Sequence, residues 1–187
     1  VNAINAELNA YSSIIDLNSF SKQYAGNDAA FAQFLADAEA GKVGAAIFVD
    51  ANPAYTYYKS EDVEKAIKKI DFTISLSDRK DETASLVNAI ATSSSFFESW
   101  SDASIREGFY TIVQPTINPL FNSRQVEKSI LAWAGDRNTS AHDFVKQNWE
   151  ENILSGDKSW KEILQTGFYD NTPSISNVSF EGNVGSA

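Results

Sequence analysis

The chain has 187 residues, of which 43% are hydrophobic and 12% aromatic, enough apolar material for a well-buried domain and too much for wholesale disorder. Its formal charge of -10 argues against a nucleic-acid partner, whose phosphates would be repelled unless a basic patch overrode the total. Zero cysteines exclude a disulfide framework, a thiolate zinc site and an iron-sulfur cluster held by this chain, and no run approaches the ~20 apolar residues of a membrane helix, so no direct membrane insertion is expected.

Methionine is absent even from position 1, and Val1-Asn2-Ala3-Ile4-Asn5 reads as the interior of a helix, so the chain is expected to be part of a longer one. Ile4, Leu8, Tyr11 and Ile14 or Ile15 recur near helical period and predict a helix over 2–15. After Gly26-Asn27-Asp28 a second helix follows, capped by Asn27, with Phe31, Phe34 and Leu35 on one stripe and its end at Gly41. Both are expected to pack on a sheet. Val43 to Val49 is almost continuously apolar, which predicts an interior parallel strand buried on both faces.

The turn Asp50-Ala51-Asn52-Pro53 leads to a helix capped by Ser60, with Asp62 and Glu64 suited to its dipole and Val63, Ala66, Ile67 and Ile70 as its buried stripe. On that helix Lys65, Lys68 and Lys69 alternate with Glu61, Asp62 and Glu64, the pattern of a solvated, self-paired face. Phe72 to Leu76 reads as the next strand, Thr83 to Ala89 as a short helix, and Phe109 to Val113 as a further strand before an extended segment fixed by Pro115 and Pro119. Helices are expected over Gln125 to Ala134, Ala141 to Ile153 and Trp160 to Leu164, and Thr172 to Ala187 reads as a linker or extended arm. The fold class is therefore α/β. Residues 1–171 are expected to form a Rossmann-like three-layer domain with a small, mostly parallel sheet, helices on both faces and a helical C-terminal portion.

Two strands that empty into polar residues at one end of an open sheet build a crevice, and that crevice is the candidate site. Backbone amides and the side chain around Asp50, Asn52 and Pro53 suit a phosphate or ribose, although Asn-Pro is also ordinary turn chemistry. Ser77, Asp78, Asp81, Glu82 and Thr83 form the second rim, where Asp81 and Glu82 also have a structural role at a helix N-terminus. His142, the single histidine, stands beside Asp143 on a helix and is expected to face solvent rather than serve a Ser-His-Asp machine. Trp100, Trp133, Trp149, Trp160, Phe96, Phe97, Phe109 and Tyr110 are assigned to the core.

In order along the chain, Ala51-Asn52-Pro53, Glu82-Thr83-Ala84, Glu98-Ser99-Trp100 and Gln114-Pro115-Thr116-Ile117-Asn118-Pro119 resemble the signature segments of the molybdopterin oxidoreductase family. Within it the wording is most similar to the molybdopterin-oxidoreductase-like iron-sulfur subunit of alternative complex III, a bacterial membrane complex that oxidises quinol. The resemblance implies a nucleotide-binding-type domain, with Asp50, Asn52, Pro53, Ser77, Glu82 and Thr83 at the place of the cofactor's guanosine diphosphate tail. Three departures weaken that role: Ser77 stands where the family has Asp, Asp81 replaces Thr, and Asn88-Ala89-Ile90-Ala91-Thr92 replaces Asp-x-Val-Leu-Pro. The resemblance thus implies a non-catalytic scaffold that has lost the pterin, with molybdopterin guanine dinucleotide bound only if the crevice still functions, and iron-sulfur clusters carried elsewhere in the parent. It also implies the parent's other domains and the other subunits of a membrane-bound respiratory complex as partners, on the periplasmic side. Three alternatives are a domain of a true molybdopterin-dependent reductase, of the polysulfide or thiosulfate type, that binds the guanosine diphosphate tail of the cofactor; an independent small-ligand or protein-binding module using the same turns; and, more weakly, a hydrolase using Asp50 or Asp78.

Overall fold

The structure, a computed structural model, describes residues 1–11, 13–17, 19–23, 25–156 and 158–173. The arm expected over 172–187 lies outside the described residues from 174 on. In chain order the elements are α1 (Asn2–Glu7), α2 (Asp28–Glu39), β1 (Ala45–Val49), α3 (Pro53–Thr56), α4 (Ser60–Lys69), β2 (Phe72–Leu76), β3 (Ala89–Ile90), β4 (Ser101–Arg106), β5 (Phe109–Val113), α5 (Val126–Trp133), α6 (Ala141–Asn148), α7 (Trp160–Thr166) and β6 (Phe168–Asp170). The described residues fall into two compact units, one made of Gly26–Ser101 and Val113–Ile153, the other of those within Val1–Ala25, Asp102–Ile112 and 154–173.

The first unit holds a parallel sheet in the order β1-β2-β3, with Ala45 beside Phe72, Val49 beside Leu76, and Ile74 beside Ala89. Asn27 caps α2 as expected, its Oδ1 accepting the Ala30 N–H at 3.0 Å. Leu35 and Ala38 of α2, Phe48 of β1, Val63, Ala66 and Ile67 of α4 and Ile70 just beyond it close one buried cluster, the helical stripes the periodicity indicates. Each large side chain so buried contributes about 1.5–3 kcal/mol. The exposed face of α4 is self-paired, Lys65 to Asp62 at 3.7 Å and Lys68 to Glu64 at 2.5 Å.

Several expectations are corrected here. β1 is an edge strand and not an interior one: β2 is central, only Phe48 of β1 is buried, and Ile47 and Val49 on its other face are 51% and 41% exposed, whereas Ile74 and Leu76 beside them on β2 are buried. A run of apolar residues marks a strand but does not say how many neighbours it has. Residues 83–88 form turns, not a helix. Asp81 Oδ1 takes the Ala84 N–H at 2.7 Å, while Asn88 is tied to β2, leaving too little chain for a helix before β3. The helix assigned to a Ser60 cap begins one residue earlier, with Lys59 as its cap.

In the second unit β4, β5 and β6 form a separate sheet, so β5 does not extend the parallel one and the fold is not mostly parallel. β5 and β6 run antiparallel, Phe109 opposite Asp170 and Thr111 opposite Phe168. Arg106 pairs with Asp170 at 3.1 Å and lies 4.8 Å from the Phe109 ring, which stacks on Phe168. Gly108 turns the chain at φ +71, and a Cβ there would come within 2.5 Å of the Asn171 carbonyl oxygen, so only glycine fits. The chain near Phe20 and Lys22 borders β4, through Glu107 N–H to the Phe20 carbonyl at 3.1 Å and Lys22 N–H to the Ile105 carbonyl at 3.0 Å. The helix expected over 2–15 ends at Glu7, because Asn9 adopts φ 52, and α1 buries none of its residues.

Candidate functional site

The carboxyl ends of β1 and β2 lie side by side, as the parallel register requires, and their two following loops are fastened together. Asn52 is the fastener. Its Oδ1 accepts both the Thr83 N–H at 3.1 Å and the Thr83 hydroxyl at 2.8 Å, and its Nδ2 donates to Glu82 at 2.7 Å. Thr83 Oγ1 in turn accepts the N–H of Ala54, at the start of α3, at 3.0 Å. Asn52 precedes α3 but makes no side-chain bond to it; its amide crosses to the other loop, and that loop's threonine does the capping. Pro53, at the first position of α3, supplies no N–H and needs no acceptor.

This clasp consumes the polar groups that would otherwise be offered to a ligand. Both acceptor sites of Asn52 are taken, and Thr83, 0% exposed, spends its hydroxyl proton on Asn52 and a lone pair on Ala54. The Asn52 amide, followed by Glu82's own backbone, holds the Glu82 carboxyl below the usual carboxylate range. Ser77 is buried, donating to the Arg79 carbonyl at 2.7 Å and accepting from Ser75 at 3.2 Å. Asp78 grips Arg79 through two bonds of 2.7 and 2.8 Å, and that guanidinium lowers its pKa.

Two cavities border these loops. The larger, about 500 Å³, is lined by Ala54, Ser60, Glu64, Lys80, Asp81, Glu82, Ser85 and Leu86. The smaller, about 210 Å³, lies where Val49 and Asp50 leave β1 and is walled by Ser93, Trp100 and Glu127 among others. Asp50 therefore does not share the Asn52–Glu82–Thr83 cluster. Its backbone sits at φ 44, the left-handed region, with its N–H on the Leu76 carbonyl at 3.0 Å.

Sequence reasoning brought Asn52, Glu82 and Thr83 together correctly but missed a second fastener of the same design. Asn88 Oδ1 accepts the Thr73 N–H at 2.7 Å and the Thr73 hydroxyl at 2.8 Å, while Thr73 Oγ1 accepts the Asn88 N–H at 3.1 Å. That bond anchors β3, and the Asn-for-Asp departure at position 88 is where it falls. No sequence signal marks such a pair, since Asn and Thr are common loop and strand residues.

His142 is half-exposed, its Nδ1 2.9 Å from Asp143 Oδ1 and its ring edge-on to Trp100 at 4.7 Å between centroids. Asp143 also receives the Ser140 hydroxyl at 2.7 Å, and that bond first, then His142, lowers its pKa. Ser140 caps α6 through the Asp143 N–H, so the hydroxyl is engaged with the helix and the aspartate rather than with the imidazole. Among the described residues no group of three or more His, Cys, Asp or Glu could hold a metal ion, and no helix is long and apolar enough to cross a membrane. The core assignment of the aromatics holds for Trp149 and Trp160 and fails for Phe96, Phe97 and Trp133, all about half exposed or more.

No family model and no curated protein matches the chain. Among solved structures it is similar to acetylene hydratase from Pelobacter acetylenicus, with a TM-score of 0.55 and 15% identity, over 73% of this chain and 20% of that one. Acetylene hydratase is a molybdopterin enzyme of the DMSO reductase family. At this identity the likeness is one of fold: the chain resembles a domain of a molybdopterin enzyme and spans about a fifth of the length of the protein it matches.

Proposed function

We propose that this chain is the α/β domain of a molybdopterin-oxidoreductase-like respiratory electron-transfer subunit, acting as a scaffold that no longer holds the pterin. The observation that carries this reading is the Asn52–Thr83 clasp, which fills from within the chain the hydrogen-bonding capacity a nucleotide would use. Charge supports it: Glu64, Asp81 and Glu82 face the larger cavity against Lys80 alone, an acidic setting for a guanosine diphosphate tail. These residues do not fit that group, and no catalytic step is assigned to it. The fold likeness to one part of a much longer molybdopterin enzyme supports the remainder of the reading. Residues 1–171 serve as the domain, its partners are the parent's other domains and the subunits of a membrane-bound complex of the alternative complex III type on the periplasmic side, and the iron-sulfur chemistry lies elsewhere in the parent.

Calorimetric titration with guanosine diphosphate tests it. No heat at millimolar nucleotide is expected; micromolar binding would overturn the scaffold reading in favour of a domain that still holds the cofactor's nucleotide tail.

A further inference from the structure

We propose that the cavity at the carboxyl end of β1 is a binding site for a small organic ammonium ion. The residues lining it include Asp50 and Glu127, Ser93 and Ser101, and Phe96 and Trp100, with no lysine, arginine or histidine. Among the described residues neither carboxylate has a hydrogen-bond or ion-pair partner, and the same holds for the Ser93 hydroxyl, although Ser93 is only 7% exposed. No side-chain polar atom of the described residues is both sealed from solvent and unpaired, so that hydroxyl opens into the cavity.

Two unneutralised carboxylates beside aromatic walls select for charge. An anion is repelled, and a neutral polyol gains only ordinary hydrogen bonds. An ammonium gains charge-assisted ones, together with attraction to the ring faces. A divalent metal is a poorer match, because no third His, Cys, Asp or Glu stands close enough to complete its ligand set. The volume of about 210 Å³ equals the share of about seven waters, which limits the guest to a short chain. Val49 and the two rings suit its methylenes, and Ser93 and Ser101 accept the remaining N–H groups.

The inference does not rest on the scaffold reading, and a guanine nucleotide titration leaves it untouched. The test is an NMR titration of the protein with 1,4-diaminobutane, using butane-1,4-diol as the uncharged twin. Saturable shifts at the Trp100 indole and at Ser93 are expected with the diamine and none with the diol. Asp50→Asn, which tolerates the left-handed backbone, should weaken the diamine about tenfold or more, and Glu127→Gln similarly. Equal response to the diol, diamine shifts unchanged by both substitutions, or no response to millimolar diamine would overturn the proposal.

Discussion

Thr83 shows how much one hydroxyl does in this molecule. Thr83→Val keeps the shape but strands the Ala54 N–H and one lone pair of Asn52, and a buried unmade hydrogen bond costs about 1–3 kcal/mol. Urea unfolding should therefore show a stability lowered by that amount, read as a lower midpoint at an unchanged slope. Asp50→Gly should do the reverse, raising stability by up to about 1 kcal/mol by relaxing φ 44, while abolishing the diamine response. Asp136 sets an acid limit. The hydroxyl and N–H of Thr139, then the Asn138 N–H, draw its pKa down to about 2. Its unfolded value is near 3.9, so its contribution is complete above about pH 4 and is lost as pH falls toward 2. Between pH 5 and pH 2 the urea midpoint should drop, and Asp136→Asn should flatten part of that fall.

At the scale of elements, legibility followed periodicity. The stripes of α2 and α4 and the apolar run of β2 declare themselves, because burial of one helical face or of nearly a whole strand leaves a repeating mark; β1 is as apolar in sequence but buries only Phe48. β3, two residues long, and β4, with its polar Ser101–Arg106 sequence, leave no such mark; β3 is fixed by the long-range Thr73–Asn88 bonds. The same reason explains the mixed outcome at the site. That Asn52 lies beside Thr83 follows from parallel strands ending together, whereas the cavity around Asp50 needs Ser93, Trp100 and Glu127, which only the folded chain brings near. In the second sheet Gly108→Ala should destabilise by at least about 2 kcal/mol, since left-handed strain adds to a clash with Asn171. A thermal melt with a lowered transition, and no change in the guanosine diphosphate titration, is the expected result.

For the molecule as a whole, the account joins an α/β fold shared with part of a molybdopterin enzyme to a crevice closed by its own side chains. The acidity of the chain, -10 in all, works in the same direction by opposing anionic cofactors and nucleic acid alike. Amide hydrogen exchange at Ala54 and Thr83, with and without guanosine diphosphate, tests the closed crevice most directly. The account predicts that both amides exchange slowly in the free protein and that the nucleotide changes neither. Rapid exchange that becomes slow on adding the nucleotide would contradict it.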